Sequence, residues 1–470
     1  MRQLTAKELA EAAGATLLRD AAGPDSEPTV IGSYAAGPGP ERAVIDSRAA
    51  SPGDLFIGLP GASAHGGSYA PRALAQGAWG VLTTPEYAQA ALAASQPGAI
   101  LAAADPLRAL QDLARAWRRR LGAKVIGVTG STGKTSTKDL LRALLAPQLR
   151  TVASAANFNT EIGLPLQLLS APAGTEVVVL EMGMRGRGQI AELAAIAEPD
   201  VGVIVSIGPV HLELLGTIEN IAAAKAELIA ALTPGACAVI PAAEPLLEPH
   251  LRTDLRIVTF GAEGDVRLLS EDEQQVEIEC DGERLNIAVN FTQAHMRSNL
   301  LAAAAAARAV GATIPAQVEL ELSPGRGQLI ELGEGMRLLD SSYNGNPVSM
   351  RAALDELKET AGRGGGHQGP PPRRVAVLGD MLELGAQAPL YHREIGAYAG
   401  GRADLLITVG PLAAEMNPEF GGESHHVADA AAAVALLPTL LRAGDLVLVK
   451  GSLGVRLSQV CAALIGGVAA

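Results

Sequence analysis

Residues 124–139 read K-V-I-G-V-T-G-S-T-G-K-T-S-T-K-D, and their types and spacing suit phosphate chemistry. The β-branched run 125–129 predicts a buried parallel strand. Gly130, Ser131, Thr132 and Gly133 then form a tight turn into a helix that begins near Lys134. Backbone N–H groups at such a turn converge on one spot, which favours an anion. Lys134 supplies a mobile cation for terminal phosphates, and Thr135 or Ser136 a hydroxyl for the accompanying Mg²⁺. The spacing G-x-x-G-K-T is two residues shorter than the G-x-x-x-x-G-K-[ST] pattern. The context of strand, G-K-T-S and helix nevertheless points to a nucleoside-triphosphate site.

Further candidates sit where strands end. Glu181 closes the run EVVVLE and is placed for Mg²⁺, a cation that takes oxygen ligands. His211 follows VGVIVSI in the loop IGPVH, and is either a ligand at that rim or a structural histidine. Lys225, among alanines of a helical stretch, reads by itself as a surface lysine. Asn157 and Asn159 either orient a polar substrate or cap a helix near Glu161. The run DSSYNGNP (340–347) holds Asp340, Tyr343, Asn344 and Asn346, as a site or as a structured turn before Pro347. Asp380 and Lys450 also end strands, and Lys450 could meet an anion from a second domain. Ser47 and Arg48 lie between short strands, where the arginine either grips a phosphate or stays a surface charge.

These residues need a scaffold of alternating strands and helices. Such alternation, with strands at 176–181, 201–207 and 236–240 and helices at 188–197 and 217–232, means a parallel sheet covered on both faces. Residues 255–291 show two-residue alternation and are expected as an antiparallel edge. The length of 470 residues exceeds one typical core, so several domains are expected. A small α/β unit over 1–105, a central nucleotide-binding domain over 106–322 and a third α/β series over 323–470 are the expected divisions. The segment 361–374 (AGRGGGHQGPPPRR) reads as a flexible insertion.

Composition excludes some classes. A net charge of −13 argues against nucleic acid as a partner. The three cysteines lack metal-ligand spacing and are expected as reduced, buried thiols of a cytoplasmic protein. The N-terminal residues predict an amphipathic helix, not a signal peptide, and no apolar run is long enough to insert in a membrane. Only seven lysines occur among 37 basic residues, which singles out Lys134, Lys225 and Lys450 as places needing an amine.

Seven ordered motifs make the chain resemble the Mur ligases of peptidoglycan synthesis over nearly its full length: TGSTGKTSTK (129–138), NFNTEIGLP (157–165), EMGMRGRGQI (181–190), IGPVHLELLG (207–216), YNGNPVSMRAAL (343–354), LGDMLELG (378–385) and VLVKGS (447–452). The resemblance implies an α/β protein of three domains: one holding a uridine nucleotide, a central ATPase with the phosphate loop, and a Rossmann-like domain closing over ATP. The YN-x-NP-x-SM and GDM-x-ELG runs point to the branch joining D-alanyl-D-alanine to UDP-N-acetylmuramoyl-tripeptide. By the same resemblance, residues 130–136 bind ATP, with Asn299 at adenine and Arg326 and Asp340 as C-terminal nucleotide contacts. Thr135 and Glu181 hold one Mg²⁺, and His211 with a carbamylated Lys225 holds a second. Ser47, Arg48, Asn157, Asn159, Tyr343, Asn344, Asn346 and Lys450 are the expected substrate contacts. Ser341, Met296, His65-Gly66-Gly67 and Leu453 depart from the family's usual residues; none lies in the phosphate loop or at a metal position, so an active, monomeric enzyme is expected.

The implied chemistry is amide formation through an acyl phosphate, with the substrate's own carboxylate as phosphoryl acceptor and no protein nucleophile. A folylpolyglutamate synthase-like ligase is the nearest rival, and the separate N-terminal unit argues against it. A nucleotide-dependent switch is a rival from another class, but the chain has no N-K-x-D run to select guanine.

Overall fold

The computed structural model describes residues 1–21, 39–155, 158–363 and 371–467. Asn157, most of the Gly/Pro-rich stretch before residue 40, and residues 364–370 of the expected insertion lie outside the described residues.

Four sheets follow one another along the chain. The first comprises β1 (Thr16–Arg19), β2 (Ala43–Val44), β3 (Leu55–Ile57), β4 (Gly80–Thr83) and β5 (Ala99–Ala102), in the order β1-β5-β4-β3-β2. All neighbours are parallel except β1 and β5. The helix Pro106–Leu121 leads out of it. Asp105 caps its N-terminus by accepting from Leu107 N and Arg108 N, each at 3.0 Å, a cap worth about 1 kcal/mol. Gly122 (φ 63°) ends it. Leu110, Leu113 and Trp117 on its buried face pack against the next layer, where Trp117 Nε1 donates to Ala171 O at 3.0 Å.

The central sheet comprises β6 (Lys124–Thr129), β7 (Thr151–Ala153), β8 (Val177–Glu181), β9 (Val201–Ile204), β10 (Cys237–Pro241) and β11 (Arg256–Phe260). It runs β11-β10-β9-β6-β8-β7, parallel throughout. The uninterrupted apolar runs of β8 and β9 are buried on both faces, the expected α/β pattern. β6 lies between β8 and β9, with Val128 opposite Glu181 and Thr129 opposite Ile204. The phosphate loop, Glu181 and the loop after β9 therefore leave the sheet at one rim.

β12 (Arg267–Glu271), β13 (Gln275–Cys280), β14 (Glu283–Val289) and β15 (Gln317–Val318) form a sheet of their own. The expectation of a single antiparallel edge over 255–291 is thus corrected. β11 is a parallel edge of the central sheet, and only β12 to β14 are antiparallel. The alternation in β13 arises because one face packs on the alanine-rich helix Ala294–Ala309, while the other meets solvent.

The last sheet comprises β16 (Gln328–Glu331), β17 (Arg337–Ser341), β18 (Arg374–Gly379), β19 (Leu405–Val409), β20 (Glu423–Val427) and β21 (Leu446–Lys450), in the order β16-β17-β21-β18-β19-β20. β16 alone is antiparallel. β21 sits centrally, so Ser341, Leu378 and Lys450 stand side by side at the carboxyl ends. The helix after β17 spans Pro347–Arg363. No described helix is long and apolar enough to cross a membrane.

Candidate active site

The phosphate loop is locked to the loop after β9. Ser131 N donates to Ser206 O (2.9 Å), and Thr132 N to Ser206 Oγ (2.9 Å). Ser131 Oγ donates to Gly208 O and lies 2.9 Å from Gly208 N. These contacts explain why β9 stops at Ile204, short of the expected 207. Gly133 (φ 80°) starts the helix Lys134–Leu145. A Cβ there would lie 2.5 Å from Asn299 Oδ1 and 2.8 Å from Val205 Cγ1. Gly133→Ala combines a left-handed backbone with that clash, and is expected to destabilise the protein by about 1–3 kcal/mol. A urea midpoint equal to wild type would contradict this.

Lys134 is half-buried and donates from Nζ to Gly130 O at 2.8 Å. Burial draws its pKa below the ordinary lysine value, Glu181 opposes that shift, and the Arg326 charge adds to it. Thr135 and Glu181 are only 4% and 3% exposed, and Thr135 Oγ1 donates to Glu181 Oε2 at 2.7 Å. The other carboxylate oxygen accepts from Asn159 Nδ2 at 2.9 Å. Asn159 therefore braces Glu181 instead of capping the helix Gly163–Ser170, where Thr160 Oγ1 accepts from Gly163 N at 3.3 Å. Ser154, buried, accepts from Glu181 N at 3.1 Å.

These groups suit Mg²⁺. A hydroxyl and one carboxylate are hard oxygen donors, and Mg²⁺ is usually held by one or two carboxylates plus substrate phosphates. Among the described residues no group of three or more His, Cys, Asp or Glu could hold a metal by itself. The donor set thus fits an ion that arrives with phosphate ligands.

His211 adopts φ 54° and starts the short helix Leu212–Leu215. Its Nδ1 is paired with the Glu383 carboxylate from the last sheet's domain. Burial lowers its pKa, Glu383 raises it, and Lys225 and Lys134 lower it further. Lys225 is 2% exposed, which corrects its reading as a surface lysine. Helix Ile218–Ala231 is rich in small residues, so its polar positions do not mark a solvent face, and this one turns inward. Burial, aided by the charge of Lys134, holds its pKa well below the ordinary lysine value. Among the described residues it has no hydrogen-bond or salt-bridge partner.

Across the cleft, the Arg326 guanidinium stacks 4.0 Å from the centroid of Tyr343. Asp340 Oδ1 accepts from Ser342 N at 3.0 Å. Lys450 Nζ donates to Asn344 O at 2.9 Å, and burial lowers its pKa to about 8. Asn346 caps the helix Pro347–Arg363 by accepting from Ser349 N at 2.9 Å, the structured-turn alternative at that position. Ser47 is buried in the first sheet's unit. Arg48, its side chain 79% exposed, pairs with Asp46 at 2.7 Å. Neither residue touches the phosphate-loop rim in a contact among the described residues. Ser136 lies on the first turn of the phosphate-loop helix.

Sequence reasoning passed over Ser206, Ser154, Glu383 and His392. The last is fully buried, accepting from Met381 N at Nε2 (2.9 Å) and bonding Ala388 O through Nδ1 (2.6 Å). It fixes the loop that carries Glu383. For Glu383 the signal was the GDM-x-ELG run, which serves above to place the branch, with Asp380 its one residue taken as a strand-end candidate.

Family profiles match most of the chain. A profile described as "Mur ligase family, catalytic domain" matches residues 43–118, "Mur ligase middle domain" 128–307, and "Mur ligase, glutamate ligase domain" 325–453. The UDP-N-acetylmuramoyl-tripeptide–D-alanyl-D-alanine ligase of Bacillus subtilis is 33% identical, covering 99% of each chain. That of Synechocystis is 36% identical, over 88% of this chain and 89% of its own. Among solved structures, MurF from Acinetobacter baumannii aligns with TM-score 0.83 at 26% identity, covering 98% of both chains. MurF ligase from Thermotoga maritima, in complex with ADP, gives 0.77 at 28% identity, over 91% of this chain and 97% of its own. E. coli FolC, 20% identical with TM-score 0.57 over 74% of this chain and 92% of its own, shares the fold.

Proposed function

The chain belongs to the Mur ligase family, and from that premise we propose that it is an ATP-dependent ligase joining D-alanyl-D-alanine to UDP-N-acetylmuramoyl-tripeptide. One observation carries the reading. A phosphate loop and a Thr135–Glu181 oxygen pair share one rim, on a chain that aligns end to end with a relative named for that reaction. The rival folylpolyglutamate synthase reading has fold likeness alone behind it.

A carboxylate resists attack by an amine, because it is anionic and offers no leaving group. In the proposed first step its oxygen attacks the γ-phosphorus of ATP, and the bond from that phosphorus to ADP breaks. The amine of D-alanyl-D-alanine then attacks the acyl phosphate carbon. The bond from that carbon to the phosphate oxygen breaks, phosphate leaves, and the amine gives up a proton.

Lys134 and the phosphate-loop N–H groups offset the charge on the transferring group. Thr135 and Glu181 would hold Mg²⁺, and His211 with a carbamylated Lys225 a second. Mg²⁺ bound there supplies charge neutralisation at the phosphate oxygens. Asn159 holds the Glu181 carboxylate in place, and Asn157 is assigned by the motif alone. Arg326, Asp340 and Asn299 serve the nucleotide. Ser47 and Arg48 serve the uridine end, and Tyr343, Asn344, Asn346 and Lys450 the peptide end. We place the reaction in the cytoplasm, on a monomer divided near residues 105 and 322.

Phosphate release tests this reading. It should require ATP, UDP-N-acetylmuramoyl-tripeptide and D-alanyl-D-alanine together, falling to background when any one is omitted. Equal release with glutamate and a folate would sink it.

A further inference from the structure

The C-terminal loop 380–385 meets the phosphate-loop rim at one point, and the contact is built from both sides. Glu383 bonds His211 Nδ1 through its carboxylate, while its carbonyl accepts from Glu213 N at 3.1 Å. Arg185 Nε stands 3.6 Å from the other carboxylate oxygen. Both His211 (φ 54°) and Glu383 (φ 64°) hold left-handed backbone, which non-glycine residues adopt only where surrounding structure enforces it. Gly385 (φ 59°) packs on Glu213, where a Cβ would come within 3.1 Å of its Cα.

Each side is anchored to its own domain. The loop carrying Glu383 is held by Met381 N on His392, by Leu382 N on Ser452 Oγ (2.9 Å), and by Ala413 N on Asp380 Oδ1 (2.7 Å). The loop carrying His211 is tied through Gly208 to Ser131. Facing an ionised Glu383, which can only accept, the neutral ring carries its proton on Nδ1 and its lone pair on Nε2. Nε2 has no hydrogen-bond partner among the described residues.

Building on the ligase reading above, we propose that Glu383 is a positioning residue for the reaction. Its carboxylate, delivered by the C-terminal domain, fixes His211 as the Nδ1–H tautomer and presents Nε2 to the phosphate-loop rim. Docking of that domain thereby completes the central site. Histidines that ligate metals commonly donate their other ring N–H to a carboxylate in this way, and losing that partner costs about 10- to 100-fold in affinity or activity.

The test uses the full chain with ¹⁵N-labelled imidazoles, the His211 signals being identified by their loss in His211→Gln. Wild type should show His211 as the Nδ1–H tautomer. Glu383→Ala should move it toward Nε2–H, lower kcat about 10- to 100-fold, and raise the Mg²⁺ concentration for half-maximal turnover about tenfold. KM for the UDP-linked tripeptide should stay unchanged. Glu383→Gln keeps an acceptor oxygen, so it should retain the Nδ1–H tautomer and recover most of kcat.

An alanine variant with wild-type tautomer and wild-type Mg²⁺ dependence overturns the proposal, whether or not its kcat falls. If the alanine variant does not fold, Glu383→Gln decides: an Nε2–H imidazole at wild-type turnover overturns it equally. Failure of the wild-type chain to ligate would instead remove the ligase reading, while the tautomer measurement still reports on the contact.

Discussion

Lys134→Ala is expected to lower turnover by about 10³-fold or more, the scale on which a cation placed at a transferring phosphoryl group acts. Its ammonium already curls over the loop onto Gly130 O, so reaching a γ-phosphate needs only a swing of the side chain. Among the described residues no other lysine or arginine of the central rim has that position. Lys225 lies in a separate helix, and Arg326 comes from beyond the cleft. Binding of the UDP-linked tripeptide should be nearly unchanged, because the residues assigned to its uridine end belong to the first sheet's unit. Calorimetry that found nucleotide and tripeptide binding lost together, with circular dichroism unchanged, would contradict that division of labour.

Lys225→Ala and Lys225→Arg are both expected to be nearly inactive. A bare ammonium 2% exposed and without a partner among the described residues is an expensive arrangement, since an uncompensated buried charge costs several kcal/mol. The proposed resolution is chemical. The neutral amine attacks CO₂, an N–C bond forms, a proton leaves, and an anionic two-oxygen ligand suited to Mg²⁺ results. Burial and Lys134 lower the amine's pKa, so more of it is neutral near pH 7 than for an exposed lysine. As pH falls the amine protonates, and activity should drop with it and be partly restored by bicarbonate. Arginine cannot form this carbamate, whereas formate or acetate added to the alanine variant should return part of the activity. Wild-type turnover by the arginine variant would dispose of the idea.

Much of the fold could be read in advance, because parallel strands buried on both faces announce themselves as apolar β-branched runs. β6, β8 and β9 were visible for that reason. The antiparallel sheet was misplaced because alternation shows that one face is buried, without showing which layer buries it; here it is the helix Ala294–Ala309. At the site, the phosphate loop was legible because glycine, lysine and hydroxyl occur at fixed spacing. The burial of Lys225 was not, since a lysine among alanines looks the same whether its face turns outward or inward; the scarcity of lysine and the motif order singled it out instead. Glu383 lies in the GDM-x-ELG run and Ser206 at a strand end, but neither setting names a partner. Their partners lie 172 and 74 residues away in the chain, and only the packing of one domain on another, or of one loop on the next, brings them together. At Asn346, a substrate contact by its motif, the structure adds a second role, its amide oxygen capping a helix.

The central claim is that ATP activates the tripeptide's own carboxylate. It is tested most directly by labelling that carboxylate with ¹⁸O and collecting the phosphate released during ligation. Attack of the carboxylate oxygen on the γ-phosphorus, followed by expulsion of phosphate from the acyl carbon, must carry one labelled oxygen into each phosphate. Mass spectrometry should therefore find phosphate bearing a single ¹⁸O, formed in step with the pentapeptide product. Unlabelled phosphate accompanying the same product would contradict the account.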